Sequence, residues 1–94
     1  MVEYTVEVGR VVESKAGRDK GRLFIITGII DEQYVTIADG DLRMLDRPKK
    51  KKLKHLRFRP EILSPIAEKL TGGAKVFDAE LRSAIRALKE EENA

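Results

Sequence analysis

The residue types in this sequence with most chemical potential are cations, and they are gathered in one stretch. Arg43, Arg47, Lys49, Lys50, Lys51, Lys52, Lys54, Arg57 and Arg59 lie between residues 43 and 59, where Asp46 is the one acidic residue. That stretch carries a net charge of +8, against −3 for residues 1–42 and −2 for residues 60–94, so the +3 of the whole chain is almost entirely local. A local excess of this kind is the usual footprint of a polyanion site. Cations packed so closely repel one another unless a polyanion or counterions neutralise them, and phosphate binding that releases those counterions weakens steeply with salt. A solvated loop that aids solubility is the plainer reading, although scattered charge would serve that purpose as well. Pro48 to Lys52 also matches the short basic pattern of a nuclear import signal, which has many chance matches. Strand alternation would send two of the four consecutive lysines to each face. Unpaired ammonium groups are rarely buried, so Lys49 to Lys52 are expected in an exposed loop or a projecting strand end.

A second feature is Gly17-Arg18-Asp19-Lys20-Gly21. It lacks the spacing of a phosphate-cradling P-loop and reads as a turn with positive-φ glycines, its Arg18 and Lys20 free to meet RNA backbone. His55, the single histidine, is either a packed structural residue between Leu53 and Leu56 or an RNA contact beside Lys54. Asp39 and Asp41 around Gly40 fit turn chemistry better than a calcium loop. Arg82, Arg86 and Lys89 share one helical face, and Arg86 stands four residues before Glu90, which predicts a solvated face with ion pairs. No catalytic set is evident: cysteine is absent and the histidine has no serine partner, so neither an enzyme nor a cofactor or metal site is expected. The aromatic residues are Tyr4, Phe24, Tyr34, Phe58 and Phe77, with Phe24 and Phe77 expected in the core. Stacking single-stranded bases usually takes several surface aromatics, so recognition of a folded RNA through phosphates and shape is the better expectation.

The elements that must position these residues read as strands first and helices last. Ninety-four residues suit one compact domain, or a smaller one with an appendage, and 41% apolar residues suffice to form a core despite 37% charged ones. Val6, Val8, Val11 and Val12 mark a first strand around Gly9, a glycine suited to a bulge or a close backbone approach. Leu23 to Ile30 is apolar and β-branched, as in a central strand. Tyr34 to Ala38 is a third strand, and Asp39-Gly40 signals a hairpin into Leu42 to Leu45. Leu53, Leu56 and Phe58 suggest a last short strand. So many short strands point to a small barrel, in which closure removes exposed edges. After a composition shift at Pro60, Ser64-Pro65 predicts an N-cap and first helical position, and Gly72-Gly73 an end. Asp78 is placed to cap a second helix, whose stripe of Leu81, Ala84, Ile85 and Leu88 should pack on the first helix or the barrel. Residues 1–59 are thus expected as a barrel and 60–94 as a two-helix appendage that offers a surface for a protein partner. Leu23 to Ile30, the longest apolar run, is too short to span a membrane, and the N-terminus lacks the pattern of a secretory signal. With no cysteine, a cytoplasmic protein, monomeric when free, is expected.

Val8-Gly9-Arg10-Val11-Val12, then Ala16 to Arg22, then the apolar strand ending in Ile29-Ile30-Asp31, resembles a KOW motif. The frame continues through Tyr34-Val35, Ala38-Asp39-Gly40, the Arg/Lys run and Lys54-His55-Leu56. It is similar to the archaeal and eukaryotic large-subunit ribosomal proteins of the "fourteen-e" family and to small bacterial-type KOW proteins. The resemblance covers residues 6–59 and ends after Arg59. It implies an SH3-like barrel that binds ribosomal RNA, with Arg18, Lys20 and the stretch from Arg47 to Lys54 as contacts. With the rest of the basic segment, the expected RNA-binding set is Arg18, Lys20, Arg43, Arg47, Lys49, Lys50, Lys51, Lys52, Lys54, His55 and Arg57. KOW barrels also serve as protein-interaction modules in transcription complexes, which leaves that class as the alternative.

Overall fold

The computed structural model describes residues 4–92. Five strands form one antiparallel sheet: β1 (Arg10–Ser14), β2 (Leu23–Ile29), β3 (Tyr34–Ala38), β4 (Lys49–Lys52) and β5 (Leu56–Ile62). Their order is β4-β3-β2-β1-β5, so the hydrogen-bonded sheet is open, with β4 and β5 at its edges. Two helices follow, α1 (Ser64–Gly72) and α2 (Asp78–Glu92). No helix among the described residues is long and apolar enough to cross a membrane.

The sheet is strongly curled. In a flat sheet the outer two of five strands would lie about 19 Å apart at the usual spacing. Yet the two edges are joined only by Leu53–His55, a single 3-10 turn, which rises about 6 Å. That turn is pinned at both ends, since Leu53 N–H donates to the Gln33 carbonyl and Lys15 N–H to the His55 carbonyl, each at 2.8 Å.

Curling leaves both faces of the sheet buried, which is why Leu23 to Ile26 are apolar without alternation. Val12, Phe24, Ile26, Val35, Ile37 and Leu56 fill one side. Val11, Leu23, Ile25 and Ala38 face the other, where Ile66 of α1 and Leu81, Ile85 and Leu88 of α2 cover them. The apolar stripe of α2 thus packs as its spacing predicts. The helices complete this core, and β5 runs through Pro60 to Ile62, so the composition shift falls inside a strand.

Local chemistry differs from expectation in several places. Leu42 to Leu45 form no strand. The Asp39 carboxylate accepts from Asp41 N–H (3.0 Å) and Arg43 N–H (2.8 Å), and Asp78 Oδ1 from Leu45 N–H (2.7 Å). These side chains take the donors that a strand ladder would need. Asp78 therefore braces this turn rather than capping its own helix. Leu63, not Ser64, stands at the N-cap of α1, with Pro65 in its first turn and Gly73 in the left-handed region at its end. Phe77 is exposed, with the Lys75 ammonium 5.0 Å from its ring centre, because it lies in the link between the helices rather than on the apolar stripe.

Two glycines fix how the layers meet. Gly9 has φ 94°, its carbonyl accepts from Leu63 N–H at 2.9 Å, and a side chain there would overlap Ala67 of α1. Gly40 has φ 77°, and a Cβ would overlap the Asp78 carbonyl at the start of α2. Gly17 shares the positive φ but faces open space. Gly17→Ala should therefore cost about 1 kcal/mol, and Gly40→Ala about 3 kcal/mol once overpacking is added. Urea denaturation of the two variants checks this, and equal midpoints would contradict the close approach at Gly40.

Candidate nucleic-acid interface

Strand β4 consists wholly of lysine. It pairs with β3 in the register Ile37↔Lys49, Thr36↔Lys50, Val35↔Lys51 and Tyr34↔Lys52. Residues directly opposite one another share a face. Lys49 and Lys51 therefore lie on the side of the buried Ile37 and Val35, while Lys50 and Lys52 lie on the side of Thr36 and Tyr34. The expectation that these lysines avoid a strand facing the core is thus corrected: Lys51 is only 9% exposed. The rule against unpaired buried ammonium groups still holds, because the partners come from a loop some thirty residues earlier in the chain. Lys49 Nζ lies 3.3 Å from Asp19 Oδ2, and Lys51 Nζ donates to the Ala16 carbonyl at 3.5 Å.

Asp19 organises this end of the molecule. Its carboxylate is buried and also takes Arg43 Nη2 at 3.5 Å. Burial alone would push the carboxyl up, but the hydrogen bond and charge of Lys49, then those of Arg43, outweigh it and hold Asp19 below its ordinary value. Burial pushes the Lys51 ammonium down, and repulsion from Lys49 and Arg43 acts in the same direction against the attraction of Asp19. The glycine-flanked loop and the basic segment, separate features in the sequence, are thereby clasped into one rim.

The remaining cations divide into two groups. Arg57 sits 4.0 Å from Glu13 across the β1–β5 pair, and Arg59 is only 20% exposed and pairs with Glu61 and Glu92. Arg59 is thus largely answered within the molecule, whereas the Arg57 side chain stays 66% exposed behind its long contact. Arg18 and Lys20 at the loop tip, Arg47, and Lys54 in the 3-10 turn are exposed, with no ion pair among the described residues. Lys50 and Lys52 hold their ammonium groups 4.5 and 5.8 Å from the Tyr34 ring centre. His55 is half-buried, and its carbonyl ties the turn to Lys15.

Three contributors carry little signal in the sequence. Lys15 is exposed and bonded through its backbone to the His55 turn. Tyr34 is the ring on which the outward lysines rest. Asp19 looked like one more turn residue, and its only sequence signal was an acid flanked by cations. Asp39 also differs from a metal ligand in what it does: besides its two backbone donors it pairs with Arg22 at 3.3 Å. No acidic or histidine cluster among the described residues is suited to a metal.

Asp19→Asn should destabilise the protein at pH 7 by about 1 to 2 kcal/mol, because it leaves inward-facing cations unanswered while part of their charge is screened. A lowered folded-state value means that the contribution of Asp19 is complete above its ordinary 3.8 and is lost as pH falls through the lower folded value. The gap between wild type and variant should therefore close in acid, and a gap that stays constant from neutral pH down to about pH 2 would contradict the clasp. Lys51→Met keeps the stem and removes a desolvated, repelled charge, so it should raise stability by about 1 kcal/mol in urea at neutral pH. A loss of stability would show that the Ala16 contact outweighs burial.

No protein-family model matches the chain, so the case for a ligand rests on the residues of this rim.

Proposed function

We propose that this chain is an RNA-binding protein, ribosomal or ribosome-associated, that holds structured ribosomal RNA of the large subunit through phosphates and shape. The observation that carries this reading is the convergence at Asp19, which gathers the glycine-flanked loop and the lysine strand into one rim. Arg18, Lys20, Arg47 and Lys54 stand there exposed and without acidic partners among the described residues, and Lys50 and Lys52 flank it on the outer face. A row of exposed cations brought together by these contacts suits phosphates held at fixed positions. The aromatics of the rim support phosphate over base stacking: Phe24 is buried, Tyr34 carries Lys50 and Lys52, Arg10 lies 5.3 Å over Tyr4, and the exposed Phe77 belongs to the link between the helices. Order and curl of the sheet support an SH3-like barrel of the KOW type, since a short turn joins its two edges.

The alternative, a protein-interaction module whose helices carry the affinity, has less support. The apolar stripe that would dock a partner is occupied by the chain's own sheet. The two helices also complete the core, so deleting residues 60–94 would test folding rather than binding.

Filter binding of large-subunit ribosomal RNA fragments over a range of salt tests the reading. Lys50→Gln with Lys52→Gln removes two outward charges and leaves the Asp19 contacts in place. The slope of log affinity against log salt should fall by about 1.8, or 0.9 for each lost phosphate contact, with similar weakening across sequences. Absence of binding at low salt would overturn the function, and an unchanged slope would move the contact away from β4.

A further inference from the structure

We propose a second phosphate-binding surface in the cleft between α2 and the start of β2, so that the RNA footprint continues from the loop onto the C-terminal helix. This rests on the reading of the chain as an RNA-binding protein and extends it to residues outside the basic segment. The cleft has a volume of about 220 Å³ and is lined by Arg22, Asp39, Asp41, Arg82, Arg86 and Lys89, with Leu23 and Ile85 at its floor. That is smaller than the usual pocket for an organic ligand, and it suits a compact anion such as a phosphate group.

Charge and position both favour an anion. Four cations face two carboxylates, and both carboxylates are engaged on the same side of the cleft. Arg22 Nη2 lies 3.3 Å from Asp39 and 3.4 Å from Asp41, and Asp39 also takes two backbone donors. These acids aim Arg22 and leave the helix cations unanswered. Arg22 is itself incompletely satisfied, since its buried Nε has no acceptor. Arg82 is held in place by a hydrogen bond from Nη1 to the Gly40 carbonyl at 2.6 Å. The expected ion pair between Arg86 and Glu90 does not form, and Glu92, which could have competed, is turned to Arg59. Arg86 and Lys89 are thus exposed with no ion pair among the described residues.

The cleft is also continuous with the first site. Arg22 follows Gly21 directly, and its N–H donates to the Asp19 carbonyl at 2.9 Å, so one residue connects the loop to the cleft. Arg82 to Lys89 extends about 10 Å along the helix axis, long enough to follow a backbone beyond a single phosphate.

The test compares two double variants on a labelled hairpin from large-subunit ribosomal RNA: Arg86→Gln with Lys89→Gln, and Arg18→Ala with Lys20→Ala. All four side chains are exposed, and circular dichroism checks that each variant folds. The helix pair should lower the salt slope by about 1.8 and weaken binding at least tenfold at low salt. Amide shifts of residues 82–89 in the wild type should move on adding the hairpin, a readout that needs no variant. If the loop pair weakens binding while the helix pair binds as wild type and the amides of α2 stay still, the inference fails and the RNA-binding reading stands. If the wild type does not bind the hairpin or other ribosomal RNA fragments at low salt, both fail.

Discussion

The structure turns on a single carboxylate. Alternate lysines on one face of a strand stand about 6.8 Å apart, where two like charges repel by about 0.6 kcal/mol in water and about 2.4 kcal/mol in the lower effective dielectric near a protein surface. Four consecutive lysines would resist strand pairing if nothing opposed this. Asp19 acts on Lys49 at 3.3 Å, about half that spacing, so by inverse distance its attraction outweighs one such repulsion. Arg43 shares the same oxygen, and Lys51 finds the neighbouring Ala16 carbonyl. The lysine strand can then complete its ladder with β3.

The same interaction gives the edge of the sheet its character. An unpaired edge invites another chain to add a strand, and lysine is one of the residues that discourages this. On β4 the two roles fall to different residues of one run. Lys49 and Lys51 turn inward and tie strand to loop, while Lys50 and Lys52 turn outward over Tyr34. At the other edge, β5 contains Pro60, which has no N–H to donate to a neighbour and is tolerated because no strand lies beyond it.

What could be read in the sequence was whatever depended on near neighbours. Tyr34 to Ala38 alternates and is a strand at those bounds, the apolar and β-branched Leu23 to Ile30 is a strand as far as Ile29, and the 3.6-residue period of Leu81, Ile85 and Leu88 lies on the buried side of α2. What could not be read depended on partners far along the chain. Leu42 to Leu45 has the apolar pattern of a strand, but Asp39 and Asp78 take its donors. Asp78 looks like a cap, but its acceptor is turned toward Leu45, thirty-three residues earlier. The lysine strand fails any local rule, since the carboxylate that permits it belongs to another loop. The site suffered in the same way: the position of the charge was legible, but its division into answered and unanswered cations was not.

That division changes what a ligand would meet. The segment from Arg43 to Arg59 has a net charge of +8 on paper. Arg43 and Lys49 are engaged by Asp19, Lys51 by a carbonyl, and Arg59 by Glu61 and Glu92, while Arg57 keeps only a long contact to Glu13. Arg47, Lys50, Lys52 and Lys54 remain, joined by Arg18 and Lys20 from the loop. The cations left without a partner are therefore fewer than the sequence suggests, and the Asp19 contacts tie the loop that carries two of them to the lysine strand. A mobile lysine tail attracts any polyanion with little regard to shape, whereas cations fixed on a curled sheet favour phosphates already arranged to match. Where cations are fixed by such contacts, their placement more than their total charge decides whether a folded polyanion is favoured over a flexible strand.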